Sequence, residues 1–417
     1  MTGAVGAMAP VVSLAALAAL RRSVATLAAA SPRPRGRLRW RELGNKLEAF
    51  EIFRHAEMQA RSAGGALPLA ALVELAEDVV PYRRLWRLEG LGYGHAEERA
   101  AHAAHAANIA EPRGWLLAGA AELPAASLIA LHCGIGLSLA RRLLAASARA
   151  PAAELRRGLA AYVAGCRELA LPGHAAPLLE ALGFIARLRL ARRAGEVAEE
   201  LARLDEEAHA CFWHGLGRAL YFLPRHAPPW PGTPRRLFAA VTREAPAGEG
   251  RENALAGLAW AVTLVNLRHP RVLEDLLASQ PPWVAASPGF AHGIGAAVFV
   301  WHDCTPHDPY LAAWRRHRPE PAGGELARRW ERQVSGPAER ALAAAAAVAG
   351  AVARTCAPGR GPDRFRRAVD LGELFRVRPG VAGPAGPAEP AAPAGAAEPA
   401  GPAEPATPAL AAAAGRA

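Results

Sequence analysis

Lysine is all but missing from this 417-residue chain: Lys46 is the only one, so a formal charge of +11 is carried almost wholly by arginine. A positive balance of that size ordinarily points to nucleic acid or an anionic membrane. Here the arginines come as short pairs, Arg141-Arg142, Arg156-Arg157, Arg192-Arg193, Arg235-Arg236, Arg315-Arg316 and Arg328-Arg329, at sites expected to be helix ends or solvated faces. The Arg, Ala, Pro and Gly bias resembles codon pressure in a GC-rich genome, and nucleic acid is disfavoured as a partner. Cysteine is sparse too. Cys133, Cys166, Cys211, Cys304 and Cys356 lie far apart with no C-x-x-C pair, which excludes a zinc ribbon or a small disulfide framework and suits a reducing cytoplasm.

Several chemical signatures are missing. The chain has no phosphate-cradling G-x-x-x-x-G-K-[ST] loop, no strand-borne G-x-G-x-x-G, no nucleophile elbow and no H-E-x-x-H. No cofactor is therefore expected. Alternation of period two is absent, so no sheet of consequence is expected. Residues 1–20 carry no charge before Arg21-Arg22, but Pro10 interrupts them and no positive charge precedes them, which a secretory signal would want. Peripheral membrane association through this segment is the weaker reading. A second uncharged window, Leu123 to Ala140, holds Pro124, Ser127, His132, Cys133 and two glycines, and reads as a buried core helix.

What the chain does have is a recurring phrase, at intervals of about forty residues, in which glycine, an apolar residue and a second small residue lead into an apolar run. It reads Gly90-Leu91-Gly92, Gly134-Ile135-Gly136, Gly215-Leu216-Gly217, Gly257-Leu258-Ala259 and Gly293-Ile294-Gly295, with fainter copies at Gly44 and Gly183. The expectation is an all-α protein of helical-hairpin repeats, forming an α-solenoid or a closed α-toroid. Each phrase is expected on one helix, with a more amphipathic helix before the next copy, at about residues 152–170 and 233–244. Leu155, Leu159, Tyr162, Val163 and Cys166 share one face of the first of these. The expected organisation is an N-terminal apolar segment and linker over residues 1–37, a repeat domain over 38–356, a C-terminal extension over 357–378, and a disordered Pro/Ala/Gly-rich tail over 379–417.

Glycine in a helix interior costs close to 1 kcal/mol relative to alanine, so its recurrence needs a reason. Gly134 with Ser138, Gly215 with Ala219, Gly257 with Ala261 and Gly293 with Ala297 each put two small residues one turn apart on a single face, where another backbone, or an extended apolar ligand, can come close.

Histidine precedes the phrase at His132, His214 and His292, and glutamate precedes it at Glu89. If the repeats close on themselves, these residues converge as candidate acid/base groups; otherwise each histidine bonds a carbonyl of a neighbouring turn. Glu206 and His209 have the Glu-x-x-His spacing of a carboxylate-bridged metal bundle, but the best second half, Glu98 with His102 and His105, has the wrong interval. His302, Asp303, Cys304 and His307 concentrate metal-capable side chains in an expected loop before Asp308, whose place ahead of Pro309 suits a helix cap.

The phrase Phe212-Trp213-His214-Gly215-Leu216-Gly217-Arg218-Ala219-Leu220-Tyr221-Phe222, with Glu89-Gly90-Leu91-Gly92 and Gly257-Leu258-Ala259-Trp260-Ala261, resembles the UnbL-type family of uncharacterised helical bacterial proteins associated with enediyne and related polyketide gene clusters. The resemblance spans about residues 40 to 318. It implies a role beside a secondary-metabolite pathway and supplies no catalytic residues. The expectation is a non-catalytic cytoplasmic scaffold that binds a partner protein or an extended apolar small molecule. The alternative is an enzyme using Glu89, His132, His214, His292 and the 302–308 stretch on an apolar substrate.

Overall fold

A computed structural model describes residues 13–63, 67–77, 79–105, 115–226, 232–306, 308–355 and 371–377. The chain divides into Met1–Ala382 and Gly383–Ala417, and the second unit lies outside the described residues, as does the whole of the expected 379–417 tail. Among the described residues the structure is all-helical, with no strand.

The long helices are α1 (Leu14–Ala30), α2 (Pro34–Ser62), α4 (Pro81–His105), α5 (Ala125–Ala146), α7 (Ala175–Arg189), α9 (Glu206–Phe222), α11 (Glu249–Asn266), α14 (Pro288–Cys304) and α17 (Gly336–Thr355). Between them lie further helices, most of them shorter: α3 (Leu69–Glu74), α6 (Ala152–Leu169), α8 (Ala194–Leu204), α10 (Thr233–Glu244), α12 (Arg271–Ala278), α13 (Pro282–Ala286), α15 (Pro309–Arg316) and α16 (Glu325–Trp330). Helix α2 begins at Pro34, inside the expected segment and linker over 1–37, because proline suits the first turn, where its missing N–H costs nothing.

The long helices pack in series, each on the next: α2 on α4, α4 on α5, α5 on α7, α7 on α9, α9 on α11, α11 on α14 and α14 on α17. The glycine phrase makes this possible. Two residues along a helix is a rotation of about 200°, so the two small residues of a G-x-G unit lie on opposite flanks. Gly215 faces α7, where a Cβ would strike the carbonyl of Glu180, and Gly217 faces α11, where it would strike that of Ala254. Gly134 abuts the Glu89 carbonyl while Gly136 abuts Leu178, and Gly293 abuts the Ala256 carbonyl while Gly295 faces Pro337. The contacts are reciprocal, since Gly257 meets the His214 carbonyl and Gly183 that of Phe212. Each such helix is thus held close on both sides, whereas the one-turn spacing of small residues accounts for only one flank.

The intervening helices are amphipathic, as expected. α6 buries Leu155, Leu159, Tyr162, Val163 and Cys166 against α5 and α7. The series also meets itself again: α2 touches α11, and α4 and α5 touch α14. Asn45 on α2 donates to Asn266 on α11 at 3.0 Å, and Arg84 donates to the Cys304 carbonyl at 2.6 Å. Lys46 is buried here, its Nζ 3.6 Å from the centre of the Tyr221 ring and 3.4 Å from Glu42. Burial lowers its pKa, and Glu42 offsets only part of that.

Among the described residues one helix, Ala125–Ala146, is long and apolar enough to cross a bilayer, and 72% of that window is buried within the protein. Residues 14–30 of the N-terminal apolar stretch form α1, which lies on α2 through Leu17 and Val24 against Leu47. The expected extension over 357–378 includes a short turn, Leu371–Leu374, followed by Phe375, whose side chain is fully buried in the main core.

Candidate functional site

Four buried charged or titratable side chains meet on the inner faces of α4, α7 and α9. Glu89 comes from α4, Glu180 from α7, and His214 and Arg218 from α9, where a spacing of four puts them on one face. Arg218 forms an ion pair with Glu89, 129 residues away, and a second with Glu180 at 3.2 Å. The other Glu180 oxygen lies 3.4 Å from Nδ1 of His214.

The surroundings are apolar and aromatic. The Arg218 guanidinium carbon sits 4.8 Å from the Phe184 ring centre and 4.9 Å from that of Trp260. Stacking of this kind favours a delocalised guanidinium over a lysine ammonium. Burial alone would raise the Glu180 pKa, but the Arg218 charge and the His214 contact outweigh it and hold the carboxyl below its ordinary value. Burial alone would lower that of Arg218, but its two carboxylates raise it. The Cys133 thiol, also buried here, is pushed well up by burial first and then by Glu89, so it is no nucleophile.

Not every polar atom of this cluster is paired. His214 Nε2, Arg218 Nε and Trp260 Nε1 are buried with no hydrogen-bond partner among the described residues, and so is Nε2 of His292. Two of these, the arginine and tryptophan N–H groups, can only donate. Such atoms ordinarily cost about 1–3 kcal/mol each when buried unmatched. What could match them is an acceptor: a carbonyl, a carboxylate or a hydroxyl oxygen.

The sequence candidates divide accordingly. Glu89 and His214 are brought into one network, and His292, with burial and then His214 lowering its pKa to about 4, lies beside it. His132 is not part of it. It lies between α5 and the turn before α7, where its Nδ1–H donates to the Leu128 carbonyl at 2.7 Å and its Nε2 accepts from the Leu171 N–H at 3.4 Å. Those two bonds specify a neutral ring, and burial, then His174 5.0 Å away, lowers its pKa to about 3.

His302, Asp303 and Cys304 are in the last turn of α14, not in a loop, because the apolar run from Pro288 continues helically until Thr305. His307 and Cys356 lie outside the described residues. Asp308 does cap α15, accepting from the Tyr310 N–H at 2.9 Å and from the Trp301 indole at 2.6 Å. His209 accepts from the Trp213 indole at 2.9 Å, so its spacing from Glu206 serves packing. Among the described residues no group of three or more His, Cys, Asp or Glu is arranged to hold a metal.

Arg218 and Glu180 were not singled out as site residues by sequence reasoning. Their signal was available: each is the lone charge within an otherwise apolar stretch, Glu180 in Leu178–Ile185 and Arg218 in Ala210–Leu223. Comparison with known protein families, with curated proteins and with solved structures finds no match for this chain.

Proposed function

We propose that this chain is a non-catalytic binding protein, a closed α-toroid of hairpin repeats whose interior receives an extended apolar small molecule carrying a hydrogen-bond acceptor. Support for closure comes from the return contacts of α2 with α11 and of α5 with α14. The observation that carries the binding reading is the set of unmatched donors on Arg218 and Trp260, with His214 beside them, inside an aromatic enclosure. Membership of a bacterial secondary-metabolite pathway of the enediyne-like polyketide kind is the part of the proposal that rests on the Phe212–Phe222 phrase. Cytoplasmic placement is supported by four buried, unbridged thiols.

The test is native mass spectrometry with elemental analysis on protein purified gently from its own host. The expected result is an apolar organic molecule near one per chain, lost on Trp260→Leu. A chain that carries only a tightly held protein would replace this reading with the scaffold one. The His214–Glu180 contact favours an enzymatic second reading, since a carboxylate behind an imidazole is how a general base is oriented. That reading predicts a mixture of two related small molecules, substrate and product, on the wild-type chain and one of them on His214→Ala.

A further inference from the structure

The segment Leu371–Val377 is a sequence-remote addition to the helical core, and it sits against His214 and Trp260, two of the residues with an unmatched buried nitrogen. Phe375 is fully buried, with its ring centre 5.5 Å from that of His214 and 6.3 Å from that of Trp260, which are themselves 6.0 Å apart. The three rings form one aromatic triangle. His292, whose Nε2 is unmatched, hydrogen-bonds the Glu373 backbone of the same segment.

The segment is held at its two ends by backbone bonds. The Leu371 N–H donates to the Gly173 carbonyl at 2.9 Å, and the Val377 N–H donates to the Asn253 side chain at 2.7 Å. Between them a single turn closes through Phe375 N–H to the Gly372 carbonyl at 3.0 Å. The segment closes only one turn of its own and is seated through the buried Leu371, Phe375 and Val377, so it can leave as a unit without unwinding the helices beneath it. A phenyl ring is also the wrong group for this place. It fills the apolar enclosure but offers no acceptor to Trp260 Nε1 or Arg218 Nε and no donor to His214 Nε2, whose ring turns its Nδ1–H to Glu180.

We infer that Phe375 is an internal stand-in for the ligand: the site between His214 and Trp260 takes a planar, apolar ring system bearing oxygen acceptors, and the 371–377 strap leaves when it enters. This rests on the binding reading above and adds the ligand class and the means of entry. A flat conjugated molecule would keep the aromatic triangle, and its oxygens would satisfy the donors that the phenyl ring leaves bare. The strap then keeps the site dry and closed until a ligand competes for it.

The probe is 1,4-naphthoquinone, an uncharged bicycle with two carbonyl acceptors, added to the full chain and followed by quenching of tryptophan fluorescence. Phe375→Ala should bind it at least ten-fold more tightly than the parent, at one per chain, and adding Trp260→Leu should remove that gain. Phe375→Trp, which keeps the place filled, should bind no better than the parent. Equal affinity of parent and Phe375→Ala, or a gain that survives Trp260→Leu, would overturn the inference.

Should Phe375→Ala fail to fold, hydrogen exchange on the unaltered chain decides: saturating naphthoquinone should strip protection from the Leu371 and Val377 amides while α9 and α11 stay protected. Unchanged protection at those two amides would reject the strap. The two readings fail separately. A metabolite retained by the parent chain together with an unmoved strap upholds binding and sinks the stand-in, whereas a strap that yields to naphthoquinone in a chain isolated empty upholds the site and leaves the native cargo reading without support.

Discussion

At Gly217 a methyl group would meet the backbone carbonyl of Ala254, and backbone cannot step aside as a side-chain end can. Gly217→Ala is therefore expected to lose about 1–3 kcal/mol through overpacking, despite alanine's advantage in helix propensity. Gly165, exposed on α6 with no neighbour within 4 Å, provides the contrast: there the same change should gain up to about 1 kcal/mol. Urea midpoints of the two variants decide it, and a stabilised Gly217→Ala would refute the close-approach account. Arg218 is a different kind of singular residue, since its removal leaves Glu89 and Glu180 buried without a counter-charge. Arg218→Met should cost about 3–5 kcal/mol, and adding Glu89→Gln and Glu180→Gln should restore much of it. A lack of any rescue would mean that Arg218 acts by packing alone. The recurring glycines and a close approach on one face were legible in the sequence at this scale, but not that the second small residue serves the opposite flank. The partners of Arg218 were not, because they come from helices 38 and 129 residues away and no local spacing records them.

α5 shows how an element couples to pH. With a folded pKa lowered to about 3 from the ordinary 6.5, the His132 ring stays neutral in the folded protein while the unfolded chain takes up a proton. The sign follows: the stability is fully present above about pH 6.5 and is lost as pH falls towards 3, by up to roughly 1.4 kcal/mol per pH unit. His95 and His292, both lowered to about 4, push in the same direction. Urea midpoints measured from pH 8 to pH 4 should therefore fall on the acid side, and His132→Asn should shallow that fall; an identical slope in the variant would remove His132 from the explanation. The elements themselves were largely readable. α6 and α10 occupy Ala152–Leu169 and Thr233–Glu244, close to the expected 152–170 and 233–244. The first half of the 302–308 stretch, His302 to Cys304, was misread as loop because His, Asp and Cys look like loop chemistry, while Trp301 and Cys304, both buried, continue the apolar face of α14; Thr305, Pro306 and Asp308 do lie in the connection. The 371–377 strap was read only as an extension. Seven residues with four apolar side chains carry no clear period, and their place is set by Gly173 and Asn253, which are remote in sequence.

For the whole molecule, one hydrophobic cluster runs from Ala49 to Phe375, while Leu17, Val24 and Leu47 form a small second one. An open stack of repeats unfolds in stages, whereas a series whose ends are joined by a shared core loses its contacts together. Tryptophan fluorescence and far-UV circular dichroism should thus give coincident urea transitions, and two separated transitions would argue for an open stack. The helical class could be read from the chain; the return of α2 onto α11 could not, since it depends on pairs such as Asn45 with Asn266, where neither residue is unusual by itself. The buried Lys46 has a use that follows from its solitude. As the only side-chain amine in the protein, shielded between α2 and the Tyr221 ring, it offers acylating reagents no target while α2 stays seated. A mass shift at that one position would time the release of α2 from α9 and count nothing else, so the chain carries its own single-site clock for opening.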